Sequence, residues 1–164
     1  MGSEMCIRDR FIIVIILIFK KIMAYSKKVV QRFEDVLNNP EKHAVGRFDP
    51  KDPNVATGLV GAPACGDVMK LDLKMNGDTI EDVKFKTYGC GSAIASSTLF
   101  VELLRGRTIE QAKLIKDKEI AEALELPAIK LHCSVLAEEG IKRAIENWEE
   151  KVSHRKHNNP PELT

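Results

Sequence analysis

The segment MKLDLKMNGDTIEDVKFKTY, residues 69–88, is the stretch that decides the fold class. From Met69 to Met75 every second residue is apolar, and this period of two is typical of a β-strand with one buried face. Asn76-Gly77 follows, and because both residue types tolerate positive φ, the pair predicts a tight hairpin turn. Ile80–Tyr88 is then the returning strand, so the pairing is antiparallel.

Helical patterns surround this hairpin on both sides. Apolar residues at helical spacing predict helices over 25–37 and 92–104, a short helix opening at Thr108, another over 117–124, and a long final helix that includes 136–152. The glycine-rich stretch GLVGAPACG, residues 58–66, is expected to turn tightly or to approach another part of the chain closely. The predicted class is α+β, with a small antiparallel sheet of about three strands packed against several helices and a long C-terminal helix.

Composition and charge exclude several functional classes. The 164 residues are 44% hydrophobic and 30% charged, which excludes collagen, a mainly disordered chain and a disulfide-dense miniprotein. The formal net charge of +1 argues against broad electrostatic binding of nucleic acid.

Residues 1–22 differ in character from the rest of the chain. The apolar run Phe11–Phe19 is shorter than the roughly 20 residues of a membrane-spanning helix, and Lys20-Lys21 stands where a signal peptide needs a small-residue cleavage site. SEMCIRDR resembles translated sequencing-adapter read-through. We therefore expect 1–22 to be an extraneous leader, with a signal or membrane anchor as the alternative. On this interpretation the native protein starts at Met23, 23–152 forms one domain and 153–164 is a frayed polar tail.

Three cysteines lie beyond this leader, at Cys65, Cys90 and Cys133, and none belongs to a C-x-x-C motif. Their odd number excludes complete pairing in intramolecular disulfides. A free cysteine is commonly a small buried hydrophobe, yet each of these stands at a predicted element boundary. Because a helix N-terminus lowers a thiol pKa and flanking glycines admit a bulky group, we expect the three to converge on one site.

Two other potential ligands, Asp67 and His132, adjoin these cysteines in the sequence. A sulfur-rich site of this kind suits zinc or an iron–sulfur cluster. Either residue could complete four-coordination, and the sequence leaves that choice open. His43, His154 and His157 have no such partner pattern and are predicted to be surface residues.

Four stretches in order, MAYSKKVV from Met23, GLVGAPACGDVMKL from Gly58, KTYGCGSAIASST from Lys86 and LPAIKLHCSVLAEE from Leu126, carry a family resemblance. Together they resemble the IscU-type iron–sulfur cluster assembly scaffolds, a NifU N-terminal-like family. The resemblance implies a scaffold, without turnover chemistry, that assembles a [2Fe–2S] cluster from iron and persulfide sulfur and transfers it to apo-proteins. It also implies a set of cluster and metal ligands, which can hold zinc in the apo state: Cys65, Asp67, Cys90, His132 and Cys133. Among them, Cys133 would be the persulfide acceptor.

The same resemblance implies partners and a compartment. The partners are a cysteine desulfurase, a DnaK-class chaperone (HscA-like) with its J-protein (HscB-like), a frataxin-like protein, a ferredoxin and apo iron–sulfur recipients. No nucleic acid is expected, and no membrane unless the leader is genuine. The family's chaperone motif, normally LPPVK, would lie at Leu126, Pro127, Ala128, Ile129 and Lys130. The expected location is the bacterial cytoplasm, or the mitochondrial matrix in a eukaryote.

Two other functions compete with the cluster scaffold. In one, the chain is a zinc-bound sulfurtransfer partner of a cysteine desulfurase, and Cys133 or Cys65 relays sulfur without cluster formation. In the other, zinc is structural and the domain is an interaction module. A coloured, transferable cluster formed on anaerobic reconstitution would distinguish the scaffold from both.

Overall fold

The computed structural model describes residues 26–63 and 66–158. Five α-helices and three β-strands occur in this part of the chain, and the predicted α+β class is confirmed. In chain order the elements are α1 (Lys27–Asn38), β1 (Val55–Ala62), β2 (Asp67–Asn76), β3 (Thr79–Tyr88), α2 (Gly91–Leu104), α3 (Ile109–Lys113), α4 (Asp117–Ala123), a 3-10 turn (Ala128–Lys130) and α5 (Leu131–Asn158). The predicted leader lies outside the described residues.

The three strands form one antiparallel sheet in the order β1-β2-β3. The predicted hairpin joins β2 and β3, with Gly77 at φ +61° in the turn. Residues such as Leu71 and Phe85, which are paired across the strands, are almost wholly buried. They lie on the inner face of the sheet, which packs against the helices, and the alternating residues between them form the outer face.

The first strand, β1, corrects one part of the sequence prediction. Residues 58–62 are extended edge strand rather than turn, and the tight turn comes later, at Gly66 with φ +74°. The expected close approach is present, because α5 crosses β1 where two glycines face each other. A Cβ on Gly58 would lie 2.8 Å from the backbone nitrogen of Ala144, and one on Gly140 would collide with Met69. The glycines therefore position α5 directly on the sheet.

The helix ends follow the capping signals in most places. Ser26 caps α1 by accepting a hydrogen bond from the Val29 N–H, and Thr108 and Gln111 form a capping box at the predicted start of α3. Helix α4 begins at Asp117, one residue earlier than a helix capped by Asp117 would, since Lys116 occupies the N-cap position.

The last helix, α5, continues through Asn158, so the expectation of a frayed tail is wrong for residues 153–158. The Ser153 hydroxyl donates to the Glu149 carbonyl, and the Arg155 guanidinium lies 4.9 Å from the Trp148 ring centre and donates to the Pro53 carbonyl. The contact with Pro53 gives the polar turns of the helix tertiary support, and the other two contacts lie within α5. Residues 159–164 lie outside the described part. Among the described helices, none is both long enough and apolar enough to cross a membrane.

Candidate metal centre

Three element boundaries meet at one end of the sheet. Asp67 is the first residue of β2, Cys90 is the N-cap of α2, and His132 with Cys133 belongs to the first turn of α5. Because β2 and β3 are antiparallel neighbours, the start of one lies beside the end of the other, and α5 crosses at that end. The topology therefore brings together four of the five predicted ligands; Cys65 lies outside the described residues.

Their ligand atoms lie within a few ångströms of each other. The Sγ atoms of Cys90 and Cys133 are 3.6 Å apart, far longer than the roughly 2.05 Å of a disulfide bond. Two sulfurs bonded tetrahedrally to one metal at ~2.3 Å lie ~3.8 Å apart, so this separation fits a shared ion. Asp67 Oδ2 lies 3.7 Å from Cys90 Sγ and 3.8 Å from Cys133 Sγ.

The Asp67 carboxylate is oriented by the β3–α2 turn. The Cys90 backbone N–H donates to Asp67 Oδ1 at 3.2 Å, which turns the other oxygen towards the two thiols. Gly89 packs so closely that a Cβ there would lie 2.7 Å from the Asp67 carboxyl carbon. The glycines around Cys90 were expected to admit a bulky ligand, but Gly89 is needed for the carboxylate itself. Sequence reasoning missed this role.

The His132 ring adds a nitrogen without a hydrogen-bond partner. Its Nε2 is buried, has no hydrogen bond within the described part of the chain, and lies 3.8 Å from Asp67 Oδ2. Asp67, His132 and Cys133 each offer one ligand atom within 4.8 Å of the others. A buried imidazole nitrogen that lies beside a carboxylate and a thiol suits a metal ion, because its lone pair or proton otherwise stays unsatisfied.

The Cys133 thiol differs from the sequence expectation. Its residue is 1% exposed, and burial raises the pKa of the thiol well above its usual value, with smaller contributions from the Cys90 thiol and the Asp67 carboxylate. The Lys130 ammonium acts in the opposite direction but is outweighed. The predicted lowering of the pKa by the helix N-terminus is therefore wrong for the metal-free site, because desolvation dominates. A metal ion bound here has to displace the thiol proton.

One of the three predicted surface histidines is buried instead. The side chain of His43 is 8% exposed, and its Nε2 lies 2.6 Å from Asp35 Oδ2 at the end of α1. His154 and His157 are exposed on α5, as predicted. The His43–Asp35 pair fixes the segment that follows α1, and it lies apart from the cluster of candidate ligands.

The segment Leu126–Lys130 leads directly into the centre. Leu126 packs against the core, Pro127 caps the 3-10 turn with φ −66°, and the Ile129 side chain is 62% exposed. The turn ends where α5 begins, two residues before His132. The segment is therefore a partly exposed apolar element that leads directly into the helix turn carrying two candidate ligands.

Residues 24–155 of this chain match the family of NifU-like N-terminal domains. The chain belongs to this family. The match includes every candidate ligand and ends inside α5. It bears out the relationship that the four sequence stretches indicated.

Curated relatives of this NifU-like domain are iron–sulfur cluster assembly scaffold proteins named IscU. That of Azotobacter vinelandii is 56% identical over 130 residues, covering 79% of this chain and 97% of the relative. That of Escherichia coli K12 is 55% identical over 130 residues, again covering 79% of this chain and 97% of the relative. The Rickettsia prowazekii protein is 55% identical over 135 residues, covering 82% of this chain and 98% of its own.

Solved structures support the fold of this NifU-like domain. A protein of Fervidobacterium islandicum, described as a putative scaffold for the SUF system, superposes with a TM-score of 0.61 at 19% identity, covering 75% of this chain and 97% of its own. The N-terminal part of a NifU-like protein from Brucella abortus gives 0.58 at 18% identity, covering 77% and 94%. At these identities the likeness shows a shared architecture.

Proposed function

We propose that this chain is a scaffold on which a [2Fe–2S] cluster is assembled and from which the cluster is transferred to apo-proteins. The observation that carries the proposal is the convergence of two thiols, a carboxylate and an imidazole at one end of the sheet. High identity to IscU scaffolds over almost their whole length supports it. The cluster is cargo in this role, and the chain needs no turnover chemistry of its own.

The proposed cluster ligands are thiolates completed by a harder donor. Cys65, Cys90 and Cys133 supply sulfur, the donor that iron–sulfur clusters prefer. Asp67 or His132 supplies the fourth position. Asp67 faces the thiols of both Cys90 and Cys133, and His132 offers a nitrogen within 4.8 Å of the Cys133 sulfur. An oxygen or imidazole ligand exchanges more readily than a fourth thiolate would. This donor set therefore suits a cluster that has to be released.

Sulfur is proposed to arrive as the persulfide of a cysteine desulfurase. Because burial raises the pKa of the Cys133 thiol, that thiol first has to lose its proton, as it does when it binds a metal ion. The thiolate then attacks the outer sulfur, so that a new S–S bond forms on Cys133 while the enzyme's S–S bond breaks and its thiolate leaves. Two electrons, one from each of two reduced ferredoxin molecules, then reduce the sulfane sulfur to hydrosulfide and regenerate the Cys133 thiolate. This chemistry requires free thiols, which fits a reducing compartment such as the bacterial cytoplasm or the mitochondrial matrix. A frataxin-like protein is a further proposed partner.

The segment LPAIK is proposed as the recognition element for a DnaK-class chaperone and its J-protein. The exposed Ile129 side chain and the proline-capped turn offer an apolar contact, and the element adjoins the ligands of α5. A peptide containing LPAIK should bind the cognate chaperone, whereas a peptide with Ile129→Asp should not. Absence of binding by the unmodified peptide at high micromolar concentration removes this assignment.

Anaerobic reconstitution tests the proposed function. The chain is incubated with ferrous iron, cysteine and a cysteine desulfurase, and the visible spectrum is recorded. A scaffold develops sulfide-to-iron absorption that is lost in Cys90→Ser and retained in the matched control Cys6→Ser. A colourless protein that keeps a single zinc ion would instead support the sulfurtransfer partner or the structural zinc domain.

A further inference from the structure

The sulfur atoms of Cys90 and Cys133 lie close enough to react with each other. Both residues are free thiols, and their Sγ atoms are 3.6 Å apart. That separation is about the van der Waals contact distance of two sulfur atoms, and it is only slightly longer than the ~3–3.5 Å that reacting atoms adopt before a bond forms. A small movement of either side chain therefore brings the two sulfurs into reacting position.

The two thiols differ in their surroundings, and this difference gives them different roles. Cys90 is the N-cap residue of α2, but its side chain makes no capping hydrogen bond to the helix, and the residue is only half-buried. Cys133 is 1% exposed. The Cys90 sulfur is therefore free to approach its neighbour as a nucleophile, whereas the Cys133 sulfur is enclosed and is the one that is attacked.

A persulfide on Cys133 would give the Cys90 sulfur two possible targets. Attack on the outer sulfur would release Cys133 as a thiolate in a site that is almost closed to water, and such a buried charge is costly. Attack on the inner sulfur, Cys133 Sγ, instead releases the outer sulfur as a small molecule that can diffuse into solvent. The inner sulfur is also the atom that lies 3.6 Å from Cys90 Sγ. Solvation and geometry thus favour the same target.

We propose that Cys90 is a resolving thiol, which discharges a persulfide on Cys133 when no metal ion holds the two sulfurs. This role rests on the proposed function, because that function supplies the persulfide. A bond forms between Cys90 Sγ and Cys133 Sγ, the bond from Cys133 Sγ to the outer sulfur breaks, and the proton of Cys90 leaves with the outer sulfur as hydrogen sulfide. The products are a Cys90–Cys133 disulfide and hydrogen sulfide, so the two cysteine sulfurs supply the two electrons that reduce the sulfane sulfur. A dithiol reductant of the thioredoxin class then restores both thiols.

A bound metal ion would block this reaction. An ion coordinated by Cys90 engages the sulfur lone pair that the attack requires, and metal binding and thiol reactivity therefore compete for the same atom. With metal in the centre, the persulfide persists until a ferredoxin reduces it. Without metal, Cys90 removes the sulfur. The occupancy of the centre thus decides whether incoming sulfur is retained or returned to solution.

The experiment follows the sulfur after the metal is removed. The full chain and Cys90→Ser are each saturated with zinc, given sulfur anaerobically by a cysteine desulfurase and cysteine, and separated from the enzyme, and a chelator is added without reductant. Mass spectrometry measures the persulfide on Cys133, and a colorimetric assay measures the sulfide released per persulfide. The chelator should release sulfide from the unmodified chain and leave a Cys90–Cys133 disulfide. Cys90→Ser should release sulfide at least about tenfold more slowly, and the control Cys6→Ser should match the unmodified chain.

The possible failures can be told apart. A persulfide that persists on Cys133 of the unmodified chain after chelation overturns the resolving role and leaves the proposed sulfur acceptor intact. A disulfide that joins Cys133 to Cys65 also overturns it, because another thiol would then resolve the persulfide. If neither the chain nor the variant acquires sulfur on Cys133, the proposed acceptor fails and the resolving role fails with it.

A second measurement tests the pair of thiols without any sulfur donor. The metal-free chain is treated with one equivalent of glutathione disulfide, which takes up the two electrons of the thiol pair and leaves as two glutathione thiols. Peptide mapping should identify a Cys90–Cys133 disulfide. Its absence would show that the two sulfurs do not close from 3.6 Å to the roughly 2.05 Å of a disulfide bond, and would overturn the proposal. Circular dichroism of each variant establishes that it is folded.

Discussion

The Asp67 carboxylate contacts every other described member of the candidate centre. It accepts from the Cys90 N–H and lies within 3.8 Å of the Cys90 and Cys133 sulfurs and of His132 Nε2. A carboxylate oxygen is a harder donor than a thiolate sulfur. Asp67 is therefore a central member of the candidate centre and also the ligand that we expect to exchange most readily. At the scale of single residues, Asp67 is the group on which cluster release should depend.

Asp67→Ala should therefore give a more persistent cluster. Without an oxygen ligand that exchanges with solvent or with an acceptor's thiol, loss of the cluster should slow by about three- to tenfold, or ~0.7–1.4 kcal/mol in the barrier. The measurement is the decay of visible absorbance after anaerobic reconstitution, with the exposed turn variant Asp78→Ala as control. An unchanged cluster lifetime in Asp67→Ala counts against the carboxylate as the labile ligand.

Gly89→Ala should reduce metal affinity without unfolding the protein. The new Cβ would meet the Asp67 carboxyl group and displace it from the thiols. Loss of such orienting contacts typically weakens metal binding by about 10- to 100-fold. Zinc affinity against a competing chelator is the measurement, and Gly61→Ala, whose Cβ makes only ordinary contacts at 3.8 Å, is the matched control. Equal zinc affinity in the two variants would remove the positioning role of Gly89.

Individual ligands could be predicted from the sequence better than their surroundings. Cysteines at element boundaries, with Asp67 and His132 adjacent, predicted the four candidate ligands that the described structure brings together. The raised pKa of Cys133 could not be predicted, because it depends on how deeply α5 is buried. The tight fit of Gly89 against Asp67 likewise depends on the relative position of two elements.

At the scale of elements, the contact between β1 and α5 determines where the candidate ligands of α5 lie. Gly58 and Gly140 let the helix approach the sheet until backbone meets backbone. Helix α5 then places His132 and Cys133 beside Asp67, the first residue of β2. The strand β1 was hard to predict because glycines and small residues obscure the alternation of its buried side chains. The hairpin and the long helices, with large apolar residues at regular spacing, were predicted well.

Gly58→Ala should destabilise the fold through this contact. Its Cβ would lie 2.8 Å from the Ala144 nitrogen, so strand or helix has to shift, and overpacking of this kind costs about 1–3 kcal/mol. Urea unfolding gives the free energy of unfolding. Gly61→Ala in the same strand serves as control and should change that free energy by less than about 0.5 kcal/mol. If both variants unfold at the same urea concentration, the close approach of β1 and α5 does not affect the free energy of unfolding.

At the scale of the whole molecule, metal binding and folding should be coupled. The candidate ligands come from β2, from the turn before α2 and from α5, so an ion bound to them would join elements that are distant in sequence. A ligand bound only by the folded state stabilises it in proportion to RT ln(1 + [L]/Kd), which is about 2.7 kcal/mol at a concentration of 100 times Kd.

Saturating zinc should accordingly raise the thermal unfolding temperature, and a chelator should reverse the rise. The increase should be several degrees for a domain of this size, at ~2–8 °C per kcal/mol. Differential scanning calorimetry of the unmodified chain, Cys90→Ser and the control Cys6→Ser provides the comparison. An equal increase in Cys90→Ser would mean that zinc stabilises the chain from some other site.

Transfer of the assembled cluster is the measurement that tests the central claim most directly. The chain is reconstituted anaerobically, freed of excess iron and sulfide, and mixed with apo-ferredoxin in the presence of an iron chelator. The account predicts that iron and acid-labile sulfide leave this chain together, in equal amounts, and appear in the acceptor as an intact [2Fe–2S] spectrum. Iron captured by the chelator while the acceptor stays colourless, or a chain that never acquires sulfide, would contradict the scaffold function.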